Sequence, residues 1–255
     1  MNMIDRITVL HFSPTGGTRR AAQLLAARIA QQVEEIDLAL PQAQTHGFGP
    51  EDVVLVAGSV YGGRLPALMV QRLRECSGAG ARAVAAAVYG GRAYEDALVE
   101  LADVLEAQGF RVVAGAALVA EHSIVRTLAA GRPDGQDEAQ LAGFGARIAE
   151  KLARGEAGMP ALPGDRPYRD WAGMPVVPAA GEGCTGCGTC VKACPAQAIP
   201  ADDPYKTDAE RCITCMRCVQ VCPTGARVLP APVQAMLSQK LAPFAEKRAE
   251  NELFI

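Results

Sequence analysis

The chain has 255 residues, 49% hydrophobic and 21% charged, with a formal net charge of −3, enough for one large domain and a small one. No basic run with interleaved aromatics points to a nucleic-acid surface, and no apolar run approaches the ~20 residues of a membrane span. The start, MNMIDRITVLHF, lacks the basic, apolar and cleavage regions of a signal peptide. The expected location is the cytoplasm, where thiols stay reduced and clustered cysteines bind metal rather than pair as disulfides.

In chain order, RITVLHF (6–12) reads as a buried strand, followed by the turn SPTGGT and a helix. Ala22, Leu25, Ala26, Ile29 and Ala30 recur at helical spacing and predict that helix's apolar face. VEEIDLAL (33–40) reads as a short outer strand and DVVLVAGS (52–59) as a continuous apolar one, with a helix over 66–75. ARAVAAAVY (81–89) is alanine-rich, yet GGR follows it and a better helix comes next, so it reads as strand. In that helix Tyr94, Ala97, Leu98, Leu101, Ala102 and Leu105 share a face. FRVVAGAALVA (110–120) is a fifth strand, and a closing helix capped near Asp134 carries Leu141, Phe144, Ile148 and Leu152. Five apolar strands separated by helices predict a doubly wound, five-stranded parallel sheet covered on both faces.

Beyond residue 155 the pattern changes. Residues 156–179 are rich in Pro and Gly and read as a linker draped over a surface by Tyr168 and Trp171. A cysteine-rich module occupies 180–229, and 230–255 reads as a helical tail packed on its own protein.

The module holds two copies of C-x2-C-x2-C-x3-C-P: Cys184, Cys187, Cys190 and Cys194, then Cys212, Cys215, Cys218 and Cys222. Three thiolates two residues apart on a tight loop can hold three corners of a cubane, and the fourth, after a longer gap, ligates the other cluster. One [4Fe–4S] cluster is expected on Cys184, Cys187, Cys190 and Cys222, the other on Cys212, Cys215, Cys218 and Cys194. Structural zinc more often takes separated pairs. This stretch resembles bacterial-type two-cluster ferredoxins, which implies a small α+β domain. The ninth cysteine, Cys76, reads as a small hydrophobe.

SPTGGT (13–18) joins a buried strand to a helix start, where free N–H groups and the helix dipole favour a phosphate. Ser13, Thr15 and Thr18 add hydroxyls, and Gly16 and Gly17 let the backbone approach closely. The loop matches neither GxxxxGK[ST] nor GxGxxG. SVYGGRLP (59–66) and VYGGRAYEDA (88–97) follow the next two strands, so all three loops belong at the carboxyl ends of neighbouring strands. Tyr61, Tyr89 and Tyr94 beside a phosphate cradle suit a phosphorylated flat ring, though strand-end packing is the plain alternative. His122, in AEHSIV, reads as a hydrogen-bonded structural histidine at the end of the fifth strand.

Residues 6–153 resemble a flavodoxin-like FMN domain. Together with the cysteine repeat, and with SVYGGRLP, VYGGRAYEDAL and EHS…GRPD, the chain looks like the flavodoxin–ferredoxin fusion family. The resemblance implies FMN, with its phosphate at Ser13, Thr15, Gly16, Gly17 and Thr18. It implies ring-flanking loops at Tyr61, Gly62, Gly63 and Arg64 and at Tyr89, Gly90, Gly91 and Arg92. Flavodoxin ring loops are often acidic, and the arginines here depart from that; a cation beside the ring favours an anionic reduced flavin. The expected role is electron transfer between two clusters and FMN, linking one-electron partners such as ferredoxins or oxidoreductases to a flavin. An FMN-dependent reductase or NAD(P)H oxidoreductase fed through the clusters, and a redox sensor or assembly module, remain open.

Overall fold

A computed structural model describes residues 3–42, 44–156, 158–174 and 176–255; residues 1, 2, 43, 157 and 175, within the expected N-terminal segment, first domain and linker, lie outside it. The first part alternates β1 (Ile4–Phe12), α1 (Gly17–Ala26), β2 (Ala30–Asp37), β3 (Val53–Ser59), α2 (Ala67–Leu73), β4 (Arg82–Tyr89), α3 (Ala97–Ala107), β5 (Arg111–Val119) and α4 (Gly135–Ala153). The cysteine module adds β6 (Ala179–Ala180), α5 (Thr189–Ala193), α6 (Arg217–Gln220) and β7 (Arg227–Val228). The tail adds α7 (Ala231–Leu241), a 3-10 turn and β8 (Glu252–Phe254).

The main sheet runs β2-β1-β3-β4-β5-β8, and the first five strands are parallel. Their order, 2-1-3-4-5, is that of the flavodoxin-like doubly wound fold. Side chains alternate across the pleat into two cores. Val84, Ala86 and Val88 of β4 pack with residues of α1 and α4, whereas Ala83, Ala85 and Ala87 pack with α2 and α3. That two-sided burial explains why ARAVAAAVY is a strand despite its helix-forming alanines. Asp134 caps α4 through a reciprocal box with Asp137.

Two boundaries and one strand differ from the sequence reading. α1 stops at Ala26; Ile29 lies in the turn, and Ala30 pairs with Ile4 as the first residue of β2. Both residues are buried in the core that α1 faces, so the apolar period runs on past the helix end. β2 therefore begins at Ala30 and ends at Asp37, as a largely exposed edge. The third difference is a sixth strand: β8 pairs antiparallel with β5, so the tail is not wholly helical. Asn251 fixes it, accepting from the Val119 N–H at 2.8 Å and donating to Asp137 and Gln140 at 2.8 Å each. No helix among the described residues is long and apolar enough to cross a membrane.

Candidate functional site: two cysteine cages and a glycine loop

The loops of the two cysteine repeats fold alike although their residues differ. Gly186 and Gly188 of the first have positive φ (66° and 73°), and so do Thr214 and Met216 at the matching positions of the second (49° and 65°). These left-handed turns wrap each Cys-x2-Cys-x2-Cys run around its own centre. Cys184, Cys187, Cys190 and Cys222 line one small cavity, and Cys194, Cys212, Cys215 and Cys218 line another. Each cage thus draws three cysteines from one repeat and the crossing cysteine from the other.

The cages differ in exposure. In the second, Cys194, Cys215 and Cys218 are each 8% exposed; in the first, Cys187 is open to solvent. The second cage is thus the inner one and the first the outer. N–H groups point at the inner sulfurs, from Ala198 to Cys194 (3.3 Å) and from Thr214 to Cys212 (3.4 Å), as an anionic thiolate requires. Burial pushes the Cys215 thiol up to about 12 and the Cys218 thiol up to about 11, so a metal held here would have to displace their protons. At Cys222, burial is outweighed by the Thr224 hydroxyl and nearby backbone N–H groups, which bring it down to about 7. No three His, Cys, Asp or Glu side chains among the described residues converge on a single-ion site. A cubane sets its four thiolates on four separate irons, which suits four cysteines lining each cavity.

The inner cage rests on the α/β domain. Arg72 of α2 donates to the carbonyl of Pro195, next to Cys194, at 2.8 Å. Arg217, between Cys215 and Cys218, lies 3.7 Å from Asp37 at the end of β2. Ile213 packs onto the core beneath α2 and α3. Burial pushes the Tyr61 phenol well above its ordinary value, and the Cys215 and Cys212 thiols beside it add to the shift.

At the glycine loop α1 begins with Gly16 at φ 93° and no side-chain cap. The Arg19 N–H donates to Ser13 Oγ (2.8 Å) and Gly16 N–H to Ser13 O (3.3 Å), while Gly17 and Thr18 N–H find no acceptor among the described residues. Thr15, Gly16 and Gly17 line a cavity of about 210 Å³ with Arg20, Glu121, His122, Arg126 and Gln220. Ser13 and Thr18 are buried behind it. The free Gly17 and Thr18 N–H groups at this helix start fit a phosphate. Arg20 has no carboxylate partner among the described residues, whereas Arg126 pairs with Glu121 at 2.5 Å. Gln220, from the cysteine module, accepts from Arg126 at 3.1 Å and so closes this cavity from the other domain. The sequence reading missed Arg20, Arg126 and Gln220; only Arg20, two residues past the loop, carried a local signal.

The ring-flanking loops are knitted to their surroundings. Tyr61 and Arg64 pair across a tight turn whose Gly62 and Gly63 have φ of 58° and 87°. Trp171 packs on Gly62 and Glu95 on Gly63, leaving no room for a Cβ at either. The two arginines expected beside a flavin are already paired: Arg64 grips Glu100 through two 2.8 Å bonds under the Tyr168 ring, and Arg92 pairs with Glu95 at 2.8 Å. Tyr89 is directed to the tail, donating to the Glu250 carbonyl at 2.7 Å and meeting Tyr94 edge-on. Gly90 packs against His122 and Gly91 against Ala129. His122 Nδ1 accepts from the N–H groups of Ile124 and Val125 (3.2 and 3.0 Å), the structural role expected, although its side chain also lines the cavity.

The family described as 4Fe-4S dicluster domain matches residues 183–226. None of the curated proteins matches the chain. Among solved structures, rubredoxin oxygen:oxidoreductase from Desulfovibrio gigas is 15% identical (TM-score 0.43) over 62% of this chain, which spans 38% of that protein's length. The Streptococcus pneumonia TIGR4 flavodoxin is 19% identical over 57% of this chain and 99% of its own (TM-score 0.39). Flavodoxin 2 from Bacillus cereus is 18% identical over the same shares (TM-score 0.39). These scores are low, and the fold assignment rests on the strand order above.

Proposed function

From a chain that joins a flavodoxin-like domain to a ferredoxin-type 4Fe–4S domain, we propose an electron-transfer protein carrying FMN and two [4Fe–4S] clusters. The observation that carries this reading is the seating of the inner cage on the same edge of the α/β domain as the glycine loop, fixed by Arg72, Arg217 and Ile213. Cys184, Cys187, Cys190 and Cys222 would hold one cluster, and Cys212, Cys215, Cys218 and Cys194 the other. Thr15, Gly16 and Gly17 would hold the FMN phosphate, with Ser13 and Thr18 supporting the loop from behind. Bound there, clusters move one electron at a time and a flavin one or two.

The protein's own contribution is placement. Three of the four inner cysteines are buried, while the outer cage presents Cys187 at the surface, where a redox partner such as a ferredoxin or oxidoreductase would dock. Fusing the domains replaces a bimolecular encounter with a high effective concentration. Anaerobic purification with an absorption spectrum, iron and sulfide assay and flavin extraction tests the proposal. Eight irons and one FMN per chain are expected; a colourless protein, or zinc without flavin, overturns it.

A further inference from the structure

Arg227 is the most deeply buried arginine among the described residues, at 2% exposure. It sits on β7 in the wall of the outer cage, beside Cys184, Cys187, Cys190 and Cys222. Its guanidinium donates to the carbonyls of Pro204 (2.8 Å) and Lys206 (3.2 Å) and to the Thr207 hydroxyl. All three acceptors are neutral. Among the described residues no carboxylate pairs with it, and its Nε is buried with no acceptor at all. The other nearly buried arginines are matched or lie near carboxylates: Arg132 pairs with Asp137, and Arg72 feels Asp37 and Glu75. A buried cation without an anion is costly, and folds that keep one supply a counter-charge.

The groups facing this charge are the four cysteines of the outer cage, whose cavity it lines. An iron–sulfur cubane with four thiolates is a net anion and gains one further negative charge on reduction. We propose that Arg227 is the buried counter-ion of the outer cluster, a positioning and tuning residue that favours its reduced state and couples closure of the module to its uptake. This rests on the cluster assignment above. The arginine acts through charge: one-electron reduction by an external donor is made more favourable beside it.

The test compares Arg227→Met and Arg227→Lys with wild type, anaerobically, by iron and sulfide content and by EPR-monitored titration with dithionite and mediators. Wild type that takes up no iron or sulfide overturns the function proposed above, and this inference with it. With clusters in place, Arg227→Met at full iron content should make reduction roughly tenfold less favourable, a shift of about 59 mV to lower potential for one electron. The outer cluster should shift most, and Arg227→Lys should restore most of the loss. Unchanged potentials in fully loaded Arg227→Met overturn the inference. Should Arg227→Met fail to retain iron, a loaded Arg227→Lys with near wild-type potentials supports the role of charge. Equal loss of iron in both variants overturns it, because shape rather than charge is then what the site requires.

Discussion

Arg72 of α2 and Pro195 of the cysteine module meet across the domain seam, guanidinium to carbonyl, at 2.8 Å. Arg72 is 5% exposed and also donates to the Leu38 carbonyl, so it ties the end of β2, α2 and the segment after Cys194 together. Replacing it with methionine keeps the stem and removes both bonds. Each stranded carbonyl loses a charge-assisted partner, so Arg72→Met should cost about 2 kcal/mol and lower the apparent Tm by roughly 4–8 °C. Differential scanning calorimetry reads the loss, and limited proteolysis in 156–179 should quicken as the seam loosens. Unchanged proteolysis would mean that the domains are held by other contacts.

Two cysteines that look equivalent in sequence line different cages. Cys194 lines the inner cage and Cys222 the outer one, each opposite three cysteines of the other repeat. Cys194→Ala should halve the iron content and remove the inner cluster's EPR signal, and Cys222→Ala should do the same for the outer. A Cys194→Ala protein that loses the cluster of Cys184, Cys187 and Cys190 instead would reverse the assignment.

Much of this was legible because it depends on spacing or periodicity. The cysteine repeat fixes two triplets and two crossing residues within a short stretch, and the apolar runs of β1, β3, β4 and β5 are long and bounded by turns. What was not legible depends on distant partners. β8 is three residues long, too short to show a period, and exists because Asn251 and the open edge of β5 meet in space. Arg64 read as a cation beside the ring because Glu100, 36 residues on, reaches it only once the loops close. Gln220 and Arg227 sit in the cysteine module with nothing local to distinguish them from surface residues.

Phosphate recognition by the glycine loop can be separated from ring binding. Thr15 lines the cavity, whereas Thr18 is buried behind it, although the sequence made the two hydroxyls look alike. Thr15→Val should weaken FMN by roughly tenfold, the value of one hydrogen bond to a charged oxygen at about 1.4 kcal/mol, and leave riboflavin nearly unaffected. Gln220→Ala, from the other domain, should act in the same direction. Fluorescence titration of both ligands against flavin-free protein reads the difference; equal weakening of FMN and riboflavin in Thr15→Val would remove the phosphate from this loop.

The tail's hold on the α/β domain should depend on pH with a definite sign. Asp137 is fully buried, which acts to raise its pKa. The opposing contacts prevail and hold it below the carboxylate range: the Arg132 guanidinium, the Asp134 N–H and the Asn251 amide. Because the folded value lies below the unfolded one, the unfolded chain binds more protons in between, and stability rises with pH there. The contribution is complete above the ordinary carboxylate value of ~3.9 and is lost as pH falls through the depressed one. Urea midpoints should thus be level from about pH 5 to 7 and fall steeply below about 4. Asp137→Asn leaves Arg132, itself 6% exposed, without its anion. That variant should lose about 3–5 kcal/mol at neutral pH and show a shallower acid limb. A lower plateau with an unchanged acid slope would show that Asp137 contributes shape to the tail junction and no pH dependence.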